Sequence, residues 1–237
     1  MPTDPVVIAS YARTPMGGLQ GQFARVASTQ LGAVAVKAAV ERAGVDPDEV
    51  DQIFMGCVLA AGLGQAPARQ AALGAGLSRA TQATSVNKMC GSGMQAAIMA
   101  HDALAAGSAE IIVAGGMESM TGAPYLLQRH RGGARIGHDV TKDSMFLDGL
   151  EDAYMPGKLM GAFAEETARA YQLSREAQDE YALRSLNRAL AAQASGAFDR
   201  EMAGVPVGDT MVAIDEQPGK ARPEKIPTLK PAFAAGG

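Results

Sequence analysis

Short apolar runs separated by helix-length stretches set the pattern of the first half of the chain. Val6-Val7-Ile8-Ala9, Ile53-Phe54-Met55-Gly56-Cys57-Val58-Leu59 and Ile111-Ile112-Val113-Ala114 carry no charged residue, as strands covered on both faces require. The first of these places a strand at Pro5–Tyr11, directly after Met1. Ala83-Thr84-Ser85-Val86 adds a short run of β-branched character. Between the runs, Ser28 to Ala43 reads as a helix with Ser28 as its N-cap and Gly44 as its stop. A second helix runs from Pro67 to Leu73, with proline at a tolerated first-turn position. From Met94 to Ala106 there is no Gly or Pro, and Ala, Met, Ile and Leu recur up to Gly107, which predicts a third. This βαβ-like alternation calls for a layered α/β fold, a mostly parallel sheet with helices on both faces.

Beyond residue 118 the pattern changes. Thr121 to Gly149 is rich in Gly, basic residues and Asp and has no sustained apolar period; a long stretch of this kind inside a domain serves ligand binding or assembly. Gly161–Gln172 and Ser174–Ala194 read as helices, the second capped by Ser174 and stopped by Gly196. Met202–Val207 and Met211–Ile214 read as short strands before a Pro- and Lys-rich tail. The chain thus divides at about residue 118 into a first domain, 1–118, and an α+β second one, 119–237.

Composition narrows the function classes. Hydrophobic residues make up 47% of 237 residues, and the net charge is −4, which speaks against disorder and against nucleic acid as a partner. No apolar run reaches the ~18 residues of a membrane span, and Met1–Tyr11 has no signal or transit pattern. Two cysteines make no disulfide framework, so a reduced, cytoplasmic setting is expected.

The candidate chemistry lies in Val86-Asn87-Lys88-Met89-Cys90-Gly91-Ser92-Gly93-Met94-Gln95-Ala96-Ala97. Cys90 falls where a predicted strand turns into a predicted helix, among residues without bulk, near unpaired backbone N–H groups and the positive end of a helix dipole. A thiolate is the nucleophile, and a free thiol of pKa ~8.5 is only a few per cent ionised at neutral pH. A helix terminus supplies roughly 0.3–2 kcal/mol, at most ~1.5 pKa units, so a base or a cationic His is expected beside it. Cys57, inside an apolar run, reads as core.

The Val86–Ala97 run resembles the nucleophile segment of the thiolases, the acetyl-CoA C-acetyltransferases. Four further runs resemble that family in the same order: Ala12-Arg13-Thr14-Pro15-Met16-Gly17, Gly64-Gln65-Ala66-Pro67-Ala68-Arg69-Gln70-Ala71, Gly115-Gly116-Met117-Glu118-Ser119-Met120 and Leu229-Lys230-Pro231-Ala232-Phe233. The resemblance implies a thiolase-like layered fold in which 1–118 is most of the N-terminal core domain. It makes 119–237 an inserted loop domain that binds coenzyme A, with Arg131–Leu150 as an assembly loop and a homotetramer, a dimer of dimers, as the oligomer. It implies that Cys90 is acylated by a thioester and that the acyl group is joined to acetyl-CoA, giving acetoacetyl-CoA, or released in the thiolytic reverse. No metal or redox cofactor is implied; coenzyme A thioesters are the substrates.

The same resemblance places a Gly-His-Pro histidine, an Asn-Glu-Ala-Phe asparagine and a second cysteine later than this chain runs. The sequence therefore reads as the N-terminal portion of a thiolase, without the C-terminal domain. His101, His130 and His138 have no Gly-His-Pro context and read as structural or surface residues. Lys220, Arg222, Lys225 and Lys230 form a basic cluster suited to the phosphates of coenzyme A. The family's phosphate contact falls on Lys220 or Arg222. Leu150, Met160 and Phe233 match positions lining the pantetheine channel, and core packing would suit them equally. Leu159-Met160-Gly161 departs from the His-Met-Gly of many acetoacetyl-CoA thiolases, which leaves acyl-chain length open. Three readings follow: acetyl-CoA C-acetyltransferase, a 3-ketoacyl-CoA thiolase for longer chains, or a shortened chain that binds acyl-CoA or a partner without turnover.

Overall fold

The computed structural model describes residues 5–237; the expectation placed on Met1 lies outside them. The first half is built on three parallel strands, β1 (Gln52–Gly56), β2 (Gln82–Val86) and β3 (Ile112–Gly116), in the order β2-β1-β3. Gly56 aligns with Val86 on one side and Gly116 on the other, so all three carboxyl ends finish level. Helices α1 (Ser28–Ala43), α2 (Pro67–Gly74) and α3 (Ser92–Ala105) complete this half. Ile53, Met55 and Cys57 pack with Val36 and Val40 of α1 and Ala68, Ala71 and Ala72 of α2. Phe54 points the other way, onto Ala96 and Ala100 of α3. Strand periodicity thus serves two cores at once, and a fully buried residue such as Ile53 contributes about 1.5–3 kcal/mol.

In the second half, β4 (Tyr125–Leu126) and β5 (Lys142–Asp143) pair antiparallel and hold the ends of the long loop between them. Helices α4 (Met160–Ala170) and α5 (Arg175–Ala194) follow, then the hairpin β6 (Val205–Val207) and β7 (Thr210–Val212) and the short helix α6 (Glu216–Lys220). Ser174 caps α5 as expected, its Oγ accepting the Ala177 N–H at 3.2 Å.

Two expectations are corrected. The strand at Pro5–Tyr11 does not form: residues 5–12 lie outside any strand, and Val7 and Ile8 are 72% and 89% exposed. An apolar run supplies strand preference, but a ladder needs a neighbour, and the nearest bridge among the described residues is past the run, Arg13 to Met202. Ser28 is not a cap either. Ala27 takes the extended N-cap conformation (φ −67°, ψ 148°), and the Gln30 carboxamide accepts the Ala27 N–H at 3.0 Å. Ser28 is the buried first residue of the helix, and its hydroxyl has no partner.

Candidate active site

The level carboxyl ends of β1, β2 and β3 are followed by three loops, and a cleft of about 470 Å³ lies among them. Gly56, Cys57, Met89, Cys90, Glu118 and Leu150 are among its walls. Crevices at the carboxyl ends of parallel strands are the usual ligand sites of such sheets. Cys90 sits in the turn from β2 to α3 and is exposed. Gly91 is the N-cap residue of α3, which puts the thiol at that helix's positive end. Gly56 must be glycine for this to happen: a Cβ there would come 2.8 Å from the Ser92 Cβ.

Met89 adopts φ +50°, a left-handed conformation that costs a side-chain-bearing residue roughly 1–2 kcal/mol. The bend turns the chain abruptly between strand and helix and leaves Cys90 facing the cleft. Opposite stands Glu118, at the carboxyl end of β3. Its Oε2 accepts the Val58 N–H at 2.8 Å and its Oε1 the Leu59 N–H at 3.0 Å. Glu118 Oε1 also lies 3.8 Å from Cys57 Sγ. Burial, with the nearby carboxylate, pushes the Cys57 thiol up to about 11. Cys57 is core as expected, 4% exposed, and one edge of it also lines the cleft.

Leu150 joins Cys90 in this cleft through a helical turn at Phe146–Leu150. Met160 opens α4, and a bridge from Glu151 to Leu159 brings that start close to Leu150. Phe233 lays its ring over Gly161, where any Cβ would overlap it. Lys220 is bound to Glu216, which also accepts the Gly18 N–H at 2.8 Å and the Gln22 N–H at 3.0 Å. Lys220 and these two amides hold the Glu216 carboxyl down at about 2. Arg222 has no ion pair among the described residues. None of the three histidines lines the cleft: His101 lies beside Asp102 at 3.2 Å and His130 beside Asp139 at 3.0 Å. Among the described residues no group of three or more His, Cys, Asp or Glu is placed to hold a metal ion, and no helix is long and apolar enough to cross a membrane.

Glu118 and Ser92 stand within the family-like motifs, which alone assign neither a role. Their partners lie in the loop after β1 or across the turn, and only the fold reveals them.

Residues 6–237 match the family described as "Thiolase, N-terminal domain". This chain belongs to the thiolase family. The thiolase chain is 44% identical over 238 residues to the acetyl-CoA acetyltransferase of Schizosaccharomyces pombe, covering 98% of this chain and 60% of that protein. It is 46% identical over 238 residues to the acetyl-CoA acetyltransferase of Cupriavidus necator, with the same two coverages of 98% and 60%. The Acat5 thiolase of Ascaris suum, solved in complex with coenzyme A, superposes with a TM-score of 0.91 at 35% identity, over 97% of this chain and 59% of that one. The layered α/β fold expected from the sequence is therefore a thiolase fold. The thiolase chain spans about 60% of the length of these relatives.

Proposed function

We propose that this thiolase chain supplies the nucleophile and the acyl-CoA-binding segment of an acetyl-CoA C-acetyltransferase. The observation that carries it is Cys90, exposed in a cleft at the head of α3 that Leu150 also lines. The Cys90 thiolate adds to a thioester carbonyl, coenzyme A leaves as its thiolate, and an acyl-Cys90 remains. A second acetyl-CoA loses an α-proton, and its carbanion attacks the acyl carbonyl. Acetoacetyl-CoA leaves and the thiolate is regenerated. The Cys90 N–H is one donor to the oxyanion formed on the way. The base for the α-proton, a second cysteine, belongs in this reading to the remainder of a longer thiolase, with a histidine and an asparagine.

Residues 1–118 act as the core domain and 119–237 as the loop domain. Leu150, Met160 and Phe233 line the pantetheine path, supported by the Phe233 ring over Gly161, next to Met160, and by the Glu151–Leu159 bridge. Of the two basic candidates, Arg222 suits the phosphates better, because Lys220 is already neutralised by Glu216. The names of the relatives support acetyl-CoA as substrate, and the coenzyme A complex of the Ascaris suum thiolase supports acyl-CoA binding. A cytoplasmic dimer of dimers, joined through Arg131–Leu150, completes the reading. A second one, acyl-CoA binding without turnover by this chain alone, is favoured by the lack of a histidine on the cleft among the described residues.

Intact mass after brief exposure to acetoacetyl-CoA separates the two. An acyl adduct that vanishes in Cys90→Ala supports the nucleophile reading; bound coenzyme A without an adduct supports the binder. Neither adduct nor binding sinks both.

A further inference from the structure

The turn that displays Cys90 is held from one side by a residue the mechanism does not use. Met89, at φ +50°, is not glycine, so its neighbours must hold it in that conformation. Ser92 is the first residue of α3 and is buried. Its hydroxyl does not cap the helix. It turns back, accepting the Lys88 N–H at 2.9 Å and donating to the Met89 carbonyl at 2.5 Å. The Ser92 N–H reaches the same carbonyl at 3.0 Å. On the other side of the bend, Asn87 Oδ1 accepts the Met89 N–H at 3.1 Å. The Lys88 and Met89 N–H groups and the Met89 carbonyl thus each have a side-chain partner, and two of the three share one hydroxyl. The Ser92 Cβ is seated against Gly56, which fixes where that hydroxyl can point.

We propose that Ser92 is a positioning residue for Cys90: its hydroxyl, with the Asn87 carboxamide, holds Met89 left-handed and so sets the thiol in the cleft at the head of α3. This deepens the reading of Cys90 as the nucleophile and rests on it. Ser92→Ala keeps the Cβ on Gly56 and removes only the hydroxyl. Met89 then has less to offset its unfavourable φ, and the turn relaxes toward conformations that carry the thiol away from the cleft. Met89→Gly abolishes the cost of the left-handed conformation, so it compensates for a missing brace.

The test is alkylation of Cys90 by iodoacetamide in the full 237-residue chain, followed by intact mass across pH 6–10. Ser92→Ala is expected to lower the second-order rate about tenfold at pH 8 and to move the pH of half-maximal rate upward. Ser92→Ala/Met89→Gly is expected to recover most of the rate and to return that pH toward the parent's. An unchanged rate in Ser92→Ala overturns the proposal. So does a slowed rate that Met89→Gly fails to rescue, since the hydroxyl would then only satisfy the Lys88 N–H. If Ser92→Ala loses the folded circular-dichroism signal, Asn87→Ala takes its place, with the same rescue expected and the same failure decisive. Acylation of the parent by acetoacetyl-CoA is scored separately, so a chain that never acylates sinks the nucleophile reading while the alkylation comparison still decides the brace.

Discussion

Two thiols line one cleft and differ in what surrounds them. Cys90 is exposed, whereas Cys57 is 4% exposed with a carboxylate oxygen 3.8 Å away. With its thiol pushed up to about 11, Cys57 stays protonated at pH 8, and the thiol form is unreactive. Excess iodoacetamide at pH 8 is therefore expected to stop at one adduct in the parent and none in Cys90→Ala, with a second adduct emerging as the pH nears 11. The same shift carries a stability consequence. Between the ordinary thiol value of 9.0 and about 11, the folded chain keeps a proton that the unfolded chain releases. Stability is thus fully present below pH 9 and is lost as the pH rises through that window. Urea midpoints at pH 9 and pH 10.5 should diverge in the parent and draw together in Cys57→Ala.

Among the elements, the strongest long-range tie runs from the segment before α1 to the one before α6. Arg13 Nη1 and Nη2 donate to Asp215 at 2.8 and 3.0 Å, its Nε donates to Glu201 at 2.5 Å, and its guanidinium lies 4.9 Å from the Phe198 ring centre. Burial opposes charge on Asp215, but Arg13 and the Met16 N–H hold its carboxyl below the usual range. Arg13→Ala strands a carboxylate whose side chain is 3% exposed, and a cost of about 3 kcal/mol is expected from chemical unfolding. Little of this tie was legible in the sequence, because residues 13 and 215 meet only through the tertiary fold. The parallel sheet was legible: the run from Ile53 to Leu59 is apolar on both strand faces, and Gly and Pro punctuate every helix around it. The Pro5–Tyr11 strand failed because a run shows preference without showing a partner, and Ser28 failed because a cap depends on the φ and ψ of its neighbour. Cys90 stood out through its small-residue flanks, whereas Glu118 needed the β1–β3 register to acquire a role.

Taken whole, the chain exposes 15471 Å², against roughly 10,000 Å² for a compact monomer of this size. Part of the excess is apolar: Ile8 at 89%, Ile136 at 93%, and Met94 at 74% on the face of α3 away from the sheet. Surface of this kind calls for a covering. The isolated chain is expected to sediment as associated species and to bind a hydrophobic dye. Ile8→Lys/Met94→Lys should shift sedimentation toward the monomer while leaving the circular-dichroism signal intact. Beneath that open surface the cleft has a fixed gauge. Glu118 reaches from the end of β3 to the amides that follow β1, so one side chain sets the distance between two of its lining loops. The spacing of these two loops is calibrated by a carboxylate's reach, and a shorter acid at that position would re-scale it.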